Sequence, residues 1–328
     1  MIPLHRLSVN IEQNTILRKL SVCTNLLIFF IFFCVYFSID GFDYQIVKDH
    51  GGNVVSVWVA DDEEPFKTGT VTIPTSFSHD GKLCVVTAIN HYWPLENGIT
   101  KLIVPIGIDS ILNTAFFYCS ALQEVDIKYV KYIGDCAFCG TSIKQLDLSG
   151  AMLNNMAQSA FAQNKQMTKL TISAPQLKEL PDFVFSNCEK LSDISLGIYI
   201  TKIGRQAFAH NKAIKTITLP SSLKSMGDEV FYDDTNLREI KCLATTPPTC
   251  TTKTFDGLDK TKIKVIVPAG TAAKYKKATG WKDMKISDGT EAVENVSVHG
   301  TTVKTIENGQ VLIHAGEKTY TVTGQEVR

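Results

Sequence analysis

An excess of charge of either sign is missing from this chain. Lysine plus arginine and aspartate plus glutamate each number 33 among 328 residues. A balanced chain has no basic footprint, which argues against nucleic acid as a partner. Compact catalytic signatures are missing too: no G-x-S-x-G, H-E-x-x-H or G-x-x-x-x-G-K-[ST] occurs. The histidines (His5, His50, His79, His91, His210, His299 and His314) are scattered, and His210 reads as an exposed spacer on a loop rim. No cofactor or metal is expected. No apolar run reaches the ~20 residues of a membrane-spanning helix. The strongest, residues 26–39, follows Arg18 and Lys19 and reads as a secretory signal cleaved after Ser38 or Gly41. A retained N-terminal anchor is the alternative, and bulky Phe33 before Cys34 is a poor fit to lipidation.

Cysteines are few and oddly numbered. Nine occur and seven follow the signal, which leaves at least one without an intrachain partner. Cys136-Ala137-Phe138-Cys139 spells C-x-x-C. A redox role wants a thioredoxin-like βαβ setting and zinc wants a second Cys/His pair nearby, and this stretch has neither. Cys242 and Cys250 flank a Thr-Thr-Pro-Pro stretch and are candidates for a disulfide closing a small loop.

What is present is a period. Phe116, Phe138, Phe161, Phe185, Phe208 and Phe231 stand 22 to 24 residues apart. A period in the twenties marks a solenoid, in which each coil buries its apolar face only against its neighbours. Five residues before each Phe stands an aliphatic: Ile111, Ile133, Met156, Leu180, Ile203 or Met226. One before it stands Ala or Val. An apolar pair at spacing two follows, from Val125 and Ile127 to Ile240 and Cys242, which places both members on one face of a strand. The strands are expected to stack into a parallel sheet from Leu122 to Cys242, ~4.8 Å between neighbours, with the Phe rings stacked in the returning segments. Cys119, Asn164, Cys188, Asn211 and Asp234, three residues after five of the six Phe, are placed to bond loop backbone inside the coil.

The frame I-x-x-x-A-F-x-x-C/N-x-x-L-x-x-I-x-L-P, cleanest from Ile203-Gly204 through Leu219-Pro220, resembles the BspA-like leucine-rich repeats of bacterial surface and secreted proteins. The resemblance covers about residues 84–286. Gly69–Pro74 with the turn at Asp80-Gly81 is similar to the family's N-terminal β cap. Ala244–Cys250, Ile266–Gly270, Tyr275 and Trp281 are similar to its exit. Asn155 and Pro181 depart from the usual Ile-Gly step, which bears on local turn geometry in coils three and four. The expected organisation is a signal or anchor at 1–41, an N-terminal β cap at 42–83, repeats at 84–248 with irregular or short helical returns, a C-terminal cap at 249–286 and a β-hairpin tail at 287–328. In the tail Asn308-Gly309 sits between alternating strands. The ending Tyr320–Val327 resembles the start of C-terminal sorting domains in secreted proteins of Bacteroides-like bacteria; a small accessory hairpin is the alternative.

The resemblance implies an exported, non-enzymatic, adhesin-like binding protein at the cell surface, outer membrane or outside the cell. Its partner would be a host extracellular or bacterial surface protein or glycan, and the membrane would be touched only through an N-terminal anchor. A structural or assembly part of the envelope is the alternative, with a carbohydrate-active enzyme behind it. Alternation turns the strand neighbours of the apolar pairs outward, from Glu124, Asp126 and Lys128 to Thr216, Thr218, Pro220, Glu239 and Lys241. Asp126, Asp147, Thr171, Ser195 and Thr218 are the candidate contacts on that face. Asp126 and Asp147 occupy equivalent places in adjacent coils, where they form an acid/base pair or simply a solvated face. No aromatic lies in these rows. Tyr129 and Tyr199 each stand nine residues before a repeat Phe, hence three coils and ~14–15 Å apart, and are the candidate anchors along one edge. Tyr92, Trp93, Tyr118 and Tyr232 are further candidates.

Overall fold

The structure, a computed structural model, describes residues 35–39, 42–48, 54–61, 68–79, 81–92, 98–289 and four C-terminal strands within 302–327. The proposed signal lies outside these residues except for its end, where Val35–Ile39 forms a strand antiparallel to Phe42–Lys48. Among the described residues no helix is long and apolar enough to cross a membrane.

The repeats build a parallel β-solenoid of about 8 turns with almost no helix. Each coil carries three rows. A side row of two-residue strands runs through Ser110–Ile111, Tyr132–Ile133, Asn155–Met156, Glu179–Leu180, Lys202–Ile203 and Ser225–Met226. The return segment follows and holds the Phe. A front row of longer strands runs through Gly98–Ile103, Glu124–Asp126, Gln145–Ser149, Lys169–Ser173, Asp193–Leu196, Thr216–Leu219, Glu239–Cys242 and Lys264–Val267. The apolar member of each side strand and the front-row apolar pairs point inward, and one continuous core runs the length of the stack.

The rings stack as expected. Centroids from Phe116 to Phe231 lie 5.1 to 6.0 Å apart, with interplanar angles of 5–19°. The ladder continues one step further than the six-ring count. Phe255 stacks on Phe231 at 6.3 Å, and Trp281 closes the end edge-on at 5.1 Å. Phe255 escapes the sequence pattern because buried Thr254, not Ala or Val, precedes it.

The returns are turns rather than helices, and they carry a ladder of their own. In the six coils from Phe116 to Phe231 the residues two before and two after the Phe have positive φ, as in Thr114 and Tyr118, Ser159 and Gln163, or Gln206 and His210. Only Gly140 among these twelve is a glycine, so the others bear the ~1–2 kcal/mol that the left-handed region costs an L-residue. The alternation turns every second peptide the same way. N–H groups of Thr114, Phe116 and Tyr118 donate to the carbonyls of Asp135, Ala137 and Cys139 at 2.7–2.8 Å, and the same triplet recurs coil after coil to His210→Tyr232.

The front row is three sheets rather than the single sheet expected from Leu122 to Cys242, and the side row breaks once. Each seam has a local cause. Between the first and second coils, the Ser149 N–H donates to Asp147 Oδ1 at 2.8 Å, and the coil is one residue shorter. Between the fourth and fifth, Pro220 stands where Gly197 donates to Ile172 and Leu243 to Leu219, and proline has no N–H to give. In the side row, Gly134, Ala157, Gly204 and Gly227 donate to the coil before, at Ile111, Ile133, Leu180 and Ile203. Pro181 holds the equivalent place in the fourth coil, and there the side row ends and restarts. The return ladder crosses all three seams, and a second row crosses each as well.

At the N-terminal end Ser76–His79 and Lys82–Tyr92 form a hairpin with Gly81 at φ +71°. Thr68–Thr72 enters the front row against Gly98–Ile103. At the exit, the Tyr275 hydroxyl donates to the Ala244 carbonyl at 2.6 Å and the Trp281 indole to the Pro248 carbonyl at 3.0 Å. Both rings are fully buried, so the last apolar coil is covered. Thr302–Glu307 and Gln310–Ala315 pair as a hairpin around 308–309, extended by Lys318–Thr321 and Glu326–Val327. Residues 290–301 of the tail lie outside the described residues.

Candidate binding surface

Inside the coils, the small polar positions after each Phe work as backbone partners. Asn164 Nδ2 donates to the Phe138 and Phe161 carbonyls at 2.8 and 2.9 Å. Asn211 Nδ2 donates to Phe185 at 2.9 Å, and Cys188 Sγ reaches the Phe161 carbonyl at 3.5 Å. Asp234 has no amide to donate. Its Oδ1 accepts the Asn211 N–H at 2.6 Å, and its Oδ2, like Asn211 Oδ1, is buried without a partner. Burial pushes its carboxyl up to about 8.

The thiols are structural. Cys136 and Cys139 are free, as are Cys242 and Cys250, so the Cys242–Cys250 disulfide is not formed. The Tyr275 hydroxyl lies against Cys242 Sγ at 3.2 Å, while Cys250 Sγ faces the Pro248 carbonyl at 3.4 Å. Burial pushes the Cys139, Cys188 and Cys250 thiols up to about 12, far from the thiolate that redox chemistry needs. Among the described residues no group of three His, Cys, Asp or Glu side chains is placed to hold a metal ion.

Five of the sequence-chosen contacts form one file along the front face. Asp147 pairs in register with Thr171, and Thr171 with Ser195, with Asp126 one coil before and Thr218 one coil after. Asp126 and Asp147 are both exposed and stand on opposite sides of a seam. Each accepts the N–H two residues on, at 3.5 and 2.8 Å, as in a solvated turn. Neighbouring charges on this face are paired across coils, as in Lys101–Glu124 at 3.0 Å and Lys169–Asp193 at 3.5 Å. Pro220 does not belong to the outward row; it is buried, because the chain turns inward there toward Leu223, whose N–H donates to its carbonyl at 3.1 Å.

Tyr129 and Tyr199 occupy equivalent places on the rim between the front and side rows, and both are half-buried. A lysine ammonium sits over each ring: Lys128 at 5.7 Å from the Tyr129 centroid and Lys178 at 5.0 Å from that of Tyr199. Lys178 is itself tied to the Pro175 carbonyl at 2.6 Å. Such cation–π contacts are worth ~0.5–1 kcal/mol at exposed sites and hold the rings in one orientation. Between the tyrosines the same file holds Met152 and Gln176, and there the rim sinks into a groove. One part, about 360 Å³, is lined by Lys131, Gly150, Ala151, Met152, Asn154, Pro175 and Gln176. The adjoining part, about 320 Å³, shares Asn154 and Gln176 and reaches Lys178 and Glu179.

The other aromatic candidates cover the stack. The Tyr118 hydroxyl donates to Gln163 Oε1 at 2.7 Å, and its ring lies over Gly140, where an added Cβ would meet it at 2.9 Å. Tyr232 lies over Gly257 in the same way, at 2.6 Å. Tyr92 and Trp93 fall outside the residues whose side chains are described. His210 is not the exposed spacer expected from its loop position. It is half-buried, its Nδ1 is 3.2 Å from Asp233 Oδ2, and its ring stands edge-on to Tyr232 at 5.4 Å. Lys212 reaches the same Asp233 oxygen at 3.3 Å, and hydrogen bonding from His210 leads the effects that hold the Asp233 carboxyl below its ordinary range.

Stacked coils of a short parallel strand, a turn-rich return and a buried ring ladder define a leucine-rich repeat protein with an extended surface. The profile of the BspA type leucine rich repeat region matches residues 87–177 and 155–269 in six copies, and the chain belongs to that family. Among solved structures, it is similar to a leucine-rich cell surface protein of Faecalibacterium prausnitzii, with 16% identity, a TM-score of 0.54, and 73% of this chain and 72% of that one covered. A leucine-rich repeat protein of Bacteroides ovatus matches at 20% identity and a TM-score of 0.39, over 77% of this chain and 76% of its own. No curated protein matches the chain.

Proposed function

We propose that this is an exported, adhesin-like binding protein that recognises a protein or glycan partner at the cell surface through the outside of its solenoid. It acts without catalysis. The observation that carries this reading is the rim: two tyrosines, each clamped by a lysine, flank a groove beside a polar, charge-paired front face. Half-buried aromatics held in place lose little entropy on binding and are the residues that dominate interface energetics. The front-face file of Asp126, Asp147, Thr171, Ser195 and Thr218 supplies weaker polar contacts beside them. The family and the similarity to a cell surface protein support an exterior location, as does the apolar run at 26–39 behind Arg18 and Lys19.

Two measurements test this. Protease added to intact cells should digest the solenoid; digestion only after lysis places it inside the envelope and ends the reading. Pull-down from extracellular matrix, mucus and other bacterial cells should then recover a partner. Loss of ~2 kcal/mol or more in Tyr129→Ala/Tyr199→Ala, with Asp126→Ala/Asp147→Ala near wild type, supports the rim. The reverse pattern moves the contact to the front face.

A further inference from the structure

We infer that the rim groove between the third and fourth coils is a binding site for a short stretch of a linear, neutral glycan, about three hexopyranose units long. This deepens the proposed function and rests on it for the assumption that the surface meets material outside the cell.

The first support is the seam. In the second coil the N–H groups of Lys131 and Tyr132 both donate to the Asp109 carbonyl; in the third, Asn154 and Asn155 donate to Lys131; in the fifth, Thr201 and Lys202 donate to Lys178. The corresponding bonds from Lys178 and Glu179 to Asn154 are missing. Pro181 removes the next donor in the same ladder. A solenoid whose return ladder is unbroken thus leaves backbone donors and an acceptor unspent at one place on its side, and that place is the floor of the groove. Polar backbone left unpaired inside a repeat costs stability unless water or a ligand meets it.

The second support is the chemistry of the walls. Asn154, Asn155 and Gln176 are exposed, and among the described residues their carboxamides make no hydrogen bond to the protein. A carboxamide offers donors and an acceptor side by side, which suits vicinal hydroxyls that also do both. The ammonium of Lys131 is balanced by Asp109 at 3.0 Å and Glu179 is paired with Lys202 at 3.1 Å, which leaves Lys178, held on the Pro175 carbonyl and over the Tyr199 ring, as the one lining charge without an ion-pair partner among the described residues; a single tethered cation is no cluster to demand an ionic ligand. Gly150, Ala151 and Pro175 keep the floor low.

The third support is length. Tyr129 and Tyr199 bracket the groove one coil beyond Met152 and Gln176, ~14–15 Å apart at the strand spacing. The repeat of the solenoid is close to the advance of one pyranose along an extended chain. Successive sugar rings therefore fall opposite successive coils, with an aromatic ring at each end to meet an apolar sugar face.

Affinity electrophoresis of the full chain tests the site, with mixed-linkage β-glucan, mannan and galactan as neutral polymers and dextran sulfate as the charged control. Retardation by at least one neutral polymer is expected. It should weaken at least tenfold in Tyr129→Ala/Tyr199→Ala and in Asn154→Ala/Gln176→Ala, whose side chains stabilise no neighbour. A trisaccharide cut from the active polymer should compete at a tenfold lower concentration than its monosaccharide. Retardation by none of the neutral polymers, retardation only by dextran sulfate, or retardation that survives both double substitutions overturns the assignment. If the chain captures a surface protein through Asp126 and Asp147 while ignoring every neutral polymer, the adhesive reading stands and the glycan site falls.

Discussion

Asp234→Asn should stabilise the protein, and the gain should grow with pH. Asn164 and Asn211 occupy the equivalent place in earlier coils and donate an N–H to the carbonyl of a repeat phenylalanine. Asp234 has an oxygen there, Oδ2, fully buried and unpartnered. Ionised, it would set lone pairs against lone pairs; protonated, it can donate. Burial therefore raises its carboxyl from 3.8 to about 8. Between those values the folded chain keeps a proton that the unfolded chain has lost. This group's contribution is thus fully present below about pH 4, declines as pH rises, and is gone above pH 8. At pH 7 the ionisation difference spans about 3 pH units at ~1.4 kcal/mol each, so ~4 kcal/mol is the upper estimate. Asparagine has the same shape and does not titrate. A gain of ~2–4 kcal/mol at pH 7, roughly 5–10 °C in Tm, is expected, shrinking toward zero near pH 4. Thermal unfolding of both proteins from pH 4 to pH 9 gives the answer. A gain that is independent of pH, or no gain at pH 8, refutes the protonated-acid argument.

Three further outcomes follow from the packing. Phe161→Ala removes a fully buried ring stacked at 5.1 and 5.9 Å on its neighbours and should cost ~3–5 kcal/mol in denaturant unfolding; unchanged unfolding contradicts the stacked-ring core. Gly204→Ala would place Cβ 2.5 Å from Asp182 Oδ1 and 2.6 Å from backbone, a clash worth ~1–3 kcal/mol, whereas Gly150→Ala meets nothing within 4 Å and should cost only the ~1–2 kcal/mol of its left-handed backbone; equal losses would show that side-row close approach is unimportant. A thiol reagent at pH 8 should leave Cys139, Cys188 and Cys250 unmodified in the folded chain, since burial pushes them up to about 12, and label them after unfolding; rapid native labelling would contradict their burial.

The solenoid was legible because a phenylalanine, its small neighbour and an apolar pair recur together, and repetition averages out local noise. The apolar faces, the ring ladder and the polar partners inside the coils follow from that register. The left-handed returns were not legible, since Thr114, Ser159 or Gln206 carries no sign of positive φ; inter-coil hydrogen bonding imposes it. The seams were half-legible. Pro181 stands out as a departure, but only the ladder shows that it deletes a donor between two particular coils. The tyrosine file was readable by counting back from each Phe. The groove between the tyrosines was not, because it depends on what Asn154 and Gln176 fail to bond.

The return row gives the stack an electrical direction. Peptides in an ordinary sheet point alternately left and right and cancel. Here three peptides per coil aim their N–H groups toward the C-terminal cap and their carbonyls toward the N-terminus, each a dipole of ~3.5 D as in a helix. Hydrogen bonds joined head to tail polarise one another, so those in the central coils, with neighbours on both sides, are stronger than identical bonds at either end. Opening should therefore begin at the termini and stop where the aligned column is longest. A chain with more coils would be stiffer in its middle per coil, not merely longer.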